Sequence, residues 1–287
     1  MELTRYSKQQ QSPRVVPGKK NMLEYTAGLA KKNKGRVVEI PRGYTRVAGG
    51  SFKNMARLRE IRLPDGVAVI GEGAFEGCSL LLEVRLPETL RELGQAAFMG
   101  CGKLKRVVLP EDLEFIRNRS FKNCRELSRV ILPTSVRVIE KNAFLGCESL
   151  REVNLPPRVE RIEFRTFQGC KHLERISLPR GLRQIDREAF SGCGLRTLIL
   201  PGTLKFIGES AFAKCKALEA VVIPGAVTRI DKWAFHGCSA LKKVVFEGDP
   251  KEIGDWLFNK NTVCVYCKKG SNVDNYCERF GYQRSYL

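Results

Sequence analysis

The chain has 287 residues, with 50 lysines and arginines against 31 aspartates and glutamates, which gives a formal charge of +19. This charge predicts attraction to acidic proteins, nucleic acid or anionic surfaces, and it says nothing about the fold. No apolar run approaches the ~20 residues that a membrane-spanning helix needs. The N-terminus also lacks the apolar core of a secretory signal peptide, so we expect a cytoplasmic protein. In that compartment the eleven cysteines are expected to be thiols.

The N-terminal segment precedes any repeat. We expect residues 1–20, which are basic and polar, to form a disordered basic arm. Residues 21–36 are expected to form an N-terminal capping helix that begins at Met22, because Asn21 is a favoured N-cap residue. Gly35 is a suitable residue to end that helix.

Residues 37–262 repeat with a period of 23 residues. One proline marks each unit, with a single step that is one residue short, before Pro201: Pro41, Pro64, Pro87, Pro110, Pro133, Pro156, Pro179, Pro201 and Pro224. A phenylalanine follows each proline by 11 residues and continues the series beyond the last proline: Phe52, Phe75, Phe98, Phe121, Phe144, Phe167, Phe190, Phe212, Phe235 and Phe258. A cysteine follows most of these phenylalanines by three residues: Cys78, Cys101, Cys124, Cys147, Cys170, Cys193, Cys215 and Cys238.

Each unit predicts one short strand and a turn. Val84, Arg85 and Leu86 alternate apolar and polar residues, which is the pattern of a strand with one buried face. The proline that follows ends the strand, since it has no N–H for further pairing. One unit cannot bury its apolar side alone, so we expect stacked units with parallel strands and buried phenylalanines.

The C-terminal residues 263–287 predict a cap made of a strand and a helix. Ser271 is placed to cap the helix and Gly281 to end it. One face of this helix carries the apolar residues Val273, Cys277 and Phe280.

The repeating L-P-x-x-L-x-x-I-x-x-x-A-F-x-x-C pattern resembles the BspA-type leucine-rich repeat family over residues 37–287. The resemblance implies a leucine-rich-repeat solenoid of the α/β class, a right-handed superhelix of about ten repeats with a parallel sheet on one face. It also implies roles in adhesion and protein binding on the surfaces of host-associated bacteria and protists. A cell-surface or secreted location is therefore the alternative to the cytoplasm.

Catalytic and metal-binding patterns are weak in this sequence. Buried cysteine is a common apolar filler, and we interpret the cysteine series in that way. Cys264, Cys267 and Cys277 offer three thiols, whereas structural zinc takes four ligands, so a structural role is favoured over zinc. His172 and His236 belong to no recognisable nucleophile or metal motif, and we expect no catalysis, no metal and no cofactor.

The outward positions of the predicted strands are the candidate binding surface. The early repeats carry charges there, whereas the two repeats around Ile199 and Val222 carry none. Exposed apolar patches often mark partner sites, although β-branched residues also simply suit strands, and the sequence leaves both interpretations open. The candidate partner-binding residues are Arg106, Arg129, Arg175, Thr197, Ile199, Ala220, Val222 and Val245.

These observations predict a monomeric, non-catalytic scaffold for protein–protein interaction or adhesion, which binds a protein with an acidic surface through the sheet. The alternative is a polyanion or nucleic-acid binding protein that uses the basic arm and the arginines of the repeats. Salt separates the two, because counterion release makes polyanion affinity fall steeply with ionic strength.

Overall fold

The computed structural model describes residues 23–33 and 35–287, which form a solenoid. The predicted basic arm, and Asn21 and Met22, lie outside the described residues. Each turn of the solenoid contributes up to two short strands, one to each of two rows. The first row consists of Val37–Glu39, Glu60–Arg62, Glu83–Arg85, Arg106–Val108, Arg129–Ile131, Glu152–Asn154, Arg175–Ser177, Ala220–Ile223, Lys243–Phe246, Cys264–Cys267 and Gln283–Tyr286.

A second row of strands follows the repeat prolines, and the sequence did not lead us to expect it. The row consists of Leu23–Tyr25, Tyr44–Val47, Val69–Ile70, Glu92–Leu93, Phe115–Ile116, Val138–Ile139, Arg161–Ile162, Gln184–Ile185, Phe206–Ile207, Arg229–Ile230 and Glu252–Ile253. Most of these strands have only two residues, which is too short for an alternating pattern to be recognised in a sequence.

The described strands pair in parallel, as predicted. Val37 pairs with Glu60, and Glu60 pairs with Glu83, so one repeat separates each residue from its partner. In most repeats the strand stops within two residues of the proline that was expected to end it. The leucine-rich-repeat solenoid that the sequence predicted is therefore the observed fold.

A continuous stack of aromatic rings fills the core. The phenylalanines that recur once in each repeat, from Phe52 to Phe258, are all buried. Each ring stacks on the ring of the next repeat, with centroids 5.1 Å apart in the closest pairs and 5.9 Å apart in the last pair. This confirms the predicted burial of the repeated phenylalanine. Each ring shields its neighbours, so the hydrophobic stabilisation is shared along the solenoid.

The cysteine series lies beside this stack. All eight thiols are buried, and each donates to the backbone carbonyl of the phenylalanine in the preceding repeat, as Cys78 does to Phe52 at 3.0 Å. Burial raises the pKa of Cys78 to about 12. A protonated thiol is the form that donates to the Phe52 carbonyl, so burial and this one hydrogen bond favour the same state. The cysteine is a small filler that also satisfies a buried carbonyl.

The N-terminal cap differs from the prediction. Leu23–Tyr25 is a strand, and the helix comprises only Ala27–Lys32, with Thr26 at its N-cap. The helix predicted over residues 21–36 is therefore wrong at both ends, since the described helix begins after Thr26 and ends before Gly35. Leu23–Tyr25 pairs with Tyr44–Val47, and the ring of Tyr25 continues the phenylalanine stack onto Phe52 at 5.7 Å. The strand is favoured over the predicted helix because it extends the second row by one strand and because Tyr25 covers the ring of Phe52.

The C-terminal cap contains the expected helix, Asn272–Phe280. Ser271 accepts a hydrogen bond from the backbone amide of Asp274 at 3.2 Å, and Gly281 ends the helix with a φ of 69°. The strand Gln283–Tyr286 was not expected. It pairs with Cys264–Cys267, and the guanidinium of Arg284 lies 2.7 Å from the Asp274 carboxylate. This ion pair ties the last strand to the helix.

None of the helices in the described part of the chain is long and apolar enough to cross a membrane.

Candidate functional site

The strand face consists of the outward residues of the first row, together with Thr197 and Ile199. Side chains alternate along a strand, so every repeat presents two positions outward. Seven of the eight candidate residues named above are exposed on this face, and Val245 is half-buried. The structure therefore places all eight candidates on one surface, spread over seven successive repeats.

The row of strands is interrupted at Thr197–Leu200. This segment was expected to form a strand before Pro201, and that prediction is wrong. Among the described residues, its backbone pairs with neither Arg175–Ser177 nor Ala220–Ile223. The repeat is one residue short at Gly194, and a Cβ there would lie 2.3 Å from the carbonyl oxygen of Lys171. The segment that follows this shortened turn forms no strand.

An apolar patch lies at this interruption. Ile199 is 85% exposed and Val222 is 44% exposed. Together with Gly202, Pro224 and Glu247 they line a shallow depression of about 290 Å³. The unpaired backbone of this segment leaves N–H and C=O groups at its border, so a partner here meets apolar surface and hydrogen-bonding groups together. We call Ile199, Val222 and the adjoining Val245 the apolar patch.

The apolar patch continues toward the C-terminus. Val222 pairs with Val245, and Val245 pairs with Tyr266. The ammonium of Lys243 lies 4.7 Å from the centre of the Tyr266 ring. Sequence reasoning did not include Tyr266, although its place two residues after Cys264 in a strand gives it the same outward position.

Two arginines lie side by side on the strand face, Arg129 three repeats and Arg106 four repeats before Ile199. Arg106 and Arg129 are directly in register in neighbouring strands, and both are exposed. Among the described residues, neither forms an ion pair, and the same holds for Arg175. Neighbouring parallel strands lie ~4.8 Å apart, so the Arg129 strand is about 14 Å from the Ile199 segment. We call Arg106 and Arg129 the arginine pair.

A second arginine couple on the same face is neutralised internally. Arg62 and Arg85 are also in register. The guanidinium of Arg62 lies 2.7 Å from the Glu60 carboxylate, and that of Arg85 lies 3.9 Å from the Glu83 carboxylate. The strand face therefore has one arginine couple that forms ion pairs with acidic side chains and one that forms none among the described residues.

Val108 and Ile131 adjoin the arginine pair. They are 45% and 37% exposed and lie in register with each other. The predicted site contained the arginine of each of these two repeats and did not include Val108 or Ile131. The structure shows that they form an apolar surface of their own.

The second row of strands presents a different surface. The guanidiniums of Arg117 and Arg137 each lie 4.5 Å from the centre of the Phe115 ring, on which both stack. The same two arginines form ion pairs with Glu140 and Glu114. Here the charged groups and the aromatic ring have intramolecular partners, so this surface is a weaker candidate for docking.

The remaining reactive groups do not assemble into a recognisable centre. Cys267 and Cys277 are buried and Cys264 is partly buried. In residues 23–33 and 35–287, no group of three or more histidine, cysteine and carboxylate side chains is placed to hold a metal. His172 lies against the backbone, with Nδ1 2.9 Å from the Glu148 carbonyl oxygen. The strand face can bind through apolar contact and charge, and the described residues offer no evident chemistry beside it.

Comparisons with known proteins agree with this architecture. Residues 31–151 and 137–264 match the model of the BspA type leucine rich repeat region, in six copies. A leucine-rich repeat protein from Bacteroides ovatus has a similar structure, with a TM-score of 0.70 and 23% identity over 88% of this chain and 83% of that chain. A leucine-rich repeat protein of T. pallidum is 35% identical over 56% of this chain and 78% of that chain, with a TM-score of 0.54. Curated proteins gave no match.

Proposed function

The chain belongs to the BspA-type leucine-rich repeat family, and we propose that it is a non-catalytic scaffold that binds a protein partner through the strand face, with the apolar patch at the centre of the contact. Repeat proteins of this kind commonly act through extended surfaces.

The exposure of Ile199 beside Val222 carries the proposal. A side chain as large as isoleucine that is 85% exposed gains nothing from burial in the free protein. It lies where the sheet is interrupted. A central apolar area with charged groups at a distance is the common anatomy of a protein interface. Arg106, Arg129 and Arg175 are placed to steer an acidic partner toward it.

Polyanion binding is the second candidate, and the exposed arginine pair is the observation that favours it. Unpaired guanidiniums attract phosphates as well as carboxylates. A polyanion complex loses affinity steeply as salt rises, whereas an apolar-centred protein complex loses less.

A partner is best sought by crosslinking and pull-down from the native source, followed by binding measurements on variants. Val222→Glu is expected to weaken binding by more than about tenfold without a change of fold, because it places a charge in the centre of the contact. Lys31→Glu with Lys32→Glu, on the N-terminal helix, is expected to matter little at physiological salt. Loss of binding in the lysine variant alone would favour the polyanion function.

Location and assembly are also proposals. We propose a reducing compartment such as the cytoplasm, supported by eleven cysteines that are all free. The cell surface is the alternative that the family suggests. Fractionation of the native source with an antibody separates the two, and sedimentation tests the proposal that the protein is a monomer.

A further inference from the structure

The strand face carries a second feature that the apolar patch does not explain. Arg106 and Arg129 are held in register by backbone pairing, so their side chains leave the sheet side by side. Like charges in directly opposed positions destabilise a sheet. Within the described residues no carboxylate forms an ion pair with either guanidinium, so no direct ion pair offsets this repulsion.

The neutralised couple shows that the fold does not require such an arrangement. Arg62 and Arg85 occupy the other outward position of their strands and are also in register, yet Glu60 and Glu83 neutralise them. At the arginine pair the acidic neighbours are Glu83, in register with Arg106, and Glu152, in register with Arg129. Among the described residues, neither carboxylate forms an ion pair with these two arginines. The arginine pair is thus open to an external anion.

An apolar surface and a depression adjoin the arginine pair. Val108 and Ile131 are exposed beside it. Between the Arg129 and Glu152 strands only that one residue pair is in register, and the sheet opens there into a depression of about 690 Å³ that includes Ile131, Arg151 and Asn154 among its walls. Arg129 and Ile131 line this depression, and Arg106 and Val108 adjoin them in the neighbouring strand.

We propose that this region is a subsite for an acidic protein segment, with a carboxylate held between Arg106 and Arg129 and a neighbouring apolar side chain on Val108 and Ile131. Two guanidiniums at the spacing of adjacent strands can both reach one carboxylate, and such charge-assisted hydrogen bonds are the strong ones. The inference rests on the proposed function, because it names the chemistry of a partner that docks on the same face.

A nucleic acid fits this surface less well. The outward positions from Glu60–Arg62 to Arg175–Ser177 carry no aromatic ring on which a base would stack. Glu152 borders the depression and repels a continuous line of phosphates. A peptide, unlike a nucleic acid, can carry single carboxylates separated by apolar side chains. The apolar side chains can contact the surface of Val108 and Ile131.

The test is fluorescence anisotropy with a labelled synthetic peptide of alternating aspartate and leucine. Arg106→Gln with Arg129→Gln is the test variant, and Arg62→Gln with Arg85→Gln is the matched control, with the same loss of charge on the same face. We expect the peptide affinity to fall at least about tenfold in the test variant and less than about twofold in the control. Equal urea midpoints establish that both variants fold.

Two further probes decide the chemistry. A peptide of aspartate and serine is expected to bind more weakly than the leucine peptide, because it lacks apolar side chains. A single-stranded DNA of equal charge is expected to bind more weakly still. Equal loss in both arginine variants, no binding of the leucine peptide, or tighter binding of the DNA would each overturn the inference.

The proposed function stands or falls separately. If Val222→Glu abolishes binding of a native partner while the peptide does not bind, only the acidic-segment subsite is refuted. If the peptide binding depends on the arginine pair while Val222→Glu leaves the native partner's affinity unchanged, only the role of the apolar patch is refuted.

Discussion

Replacing Phe144 with alanine tests the core that holds the strand face in place. Phe144 lies in the middle of the ring stack, fully buried, and its centroid is 5.4 Å from those of both Phe121 and Phe167. Burial of a phenylalanine side chain contributes ~1.5–3 kcal/mol, and each stacked neighbour adds ~0.5–1.5 kcal/mol. Because the rings on either side prevent collapse into the cavity, we expect a loss of ~3–5 kcal/mol.

Phe115→Ala is the matched control, since it removes the same side chain from a half-buried outward position. The two guanidiniums stacked on Phe115 contribute ~0.5–1 kcal/mol each at such a site, so we expect a loss of ~1–2 kcal/mol. Urea unfolding followed by far-ultraviolet circular dichroism reports the whole solenoid, and the fluorescence of Trp233 and Trp256 reports its C-terminal part. Equal losses in the two variants, or a loss below ~1 kcal/mol for Phe144→Ala, would refute the reasoning.

Four further predictions concern the thiols, the shortened repeat and the C-terminal cap. In the folded protein, Cys78 is expected to react slowly with iodoacetamide and Cys264 faster, because Cys78 is buried and Cys264 is partly exposed. Peptide mass spectrometry measures both rates, and equal rates would contradict the difference in burial between the two thiols. Since the pKa of Cys78 is raised by burial from 9.0 to about 12, the unfolded chain loses this proton first, and the free energy of unfolding should fall as pH rises through this range. Gly194→Ala is expected to lower the thermal midpoint, because a Cβ there would lie 2.3 Å from the Lys171 carbonyl oxygen, and an unchanged midpoint would show that the turn has room. Ser271→Ala is expected to cost ~1 kcal/mol in urea unfolding through loss of the helix cap, and no change would mean that this cap contributes little.

The sequence was sufficient for the fold because one signal recurs many times. A proline and a phenylalanine at a fixed spacing define the strand end and the buried ring of each repeat, and local pattern and global packing agree. The caps have no repetition to support them. Leu23–Tyr25 was misassigned because a three-residue strand is decided by its pairing with Tyr44–Val47, which is a tertiary contact.

The sequence predicted which candidate residues point outward. It did not predict the interruption of the strands or the ion pairs around those residues. Alternation along the strands correctly assigned the outward residues, including Ile199 and Val222. The missing strand at Thr197–Leu200 follows the shortened turn at Gly194, and the sequence gives only the lost residue as a sign of it. The contrast between paired and unpaired arginines was also hidden, since it depends on side-chain geometry across neighbouring repeats.

Affinity of a native partner for Val222→Glu, compared with Val69→Glu, is the measurement that tests the central claim most directly. Both substitutions place a carboxylate at an outward position of a strand, but Val69 lies in the second row. By isothermal calorimetry, we predict that Val222→Glu weakens binding by more than about tenfold and Val69→Glu by less than about twofold. A partner that binds the Val222→Glu protein as tightly as the unmodified chain, or that loses affinity equally in both variants, would contradict the claim that the strand face at the apolar patch is the binding surface.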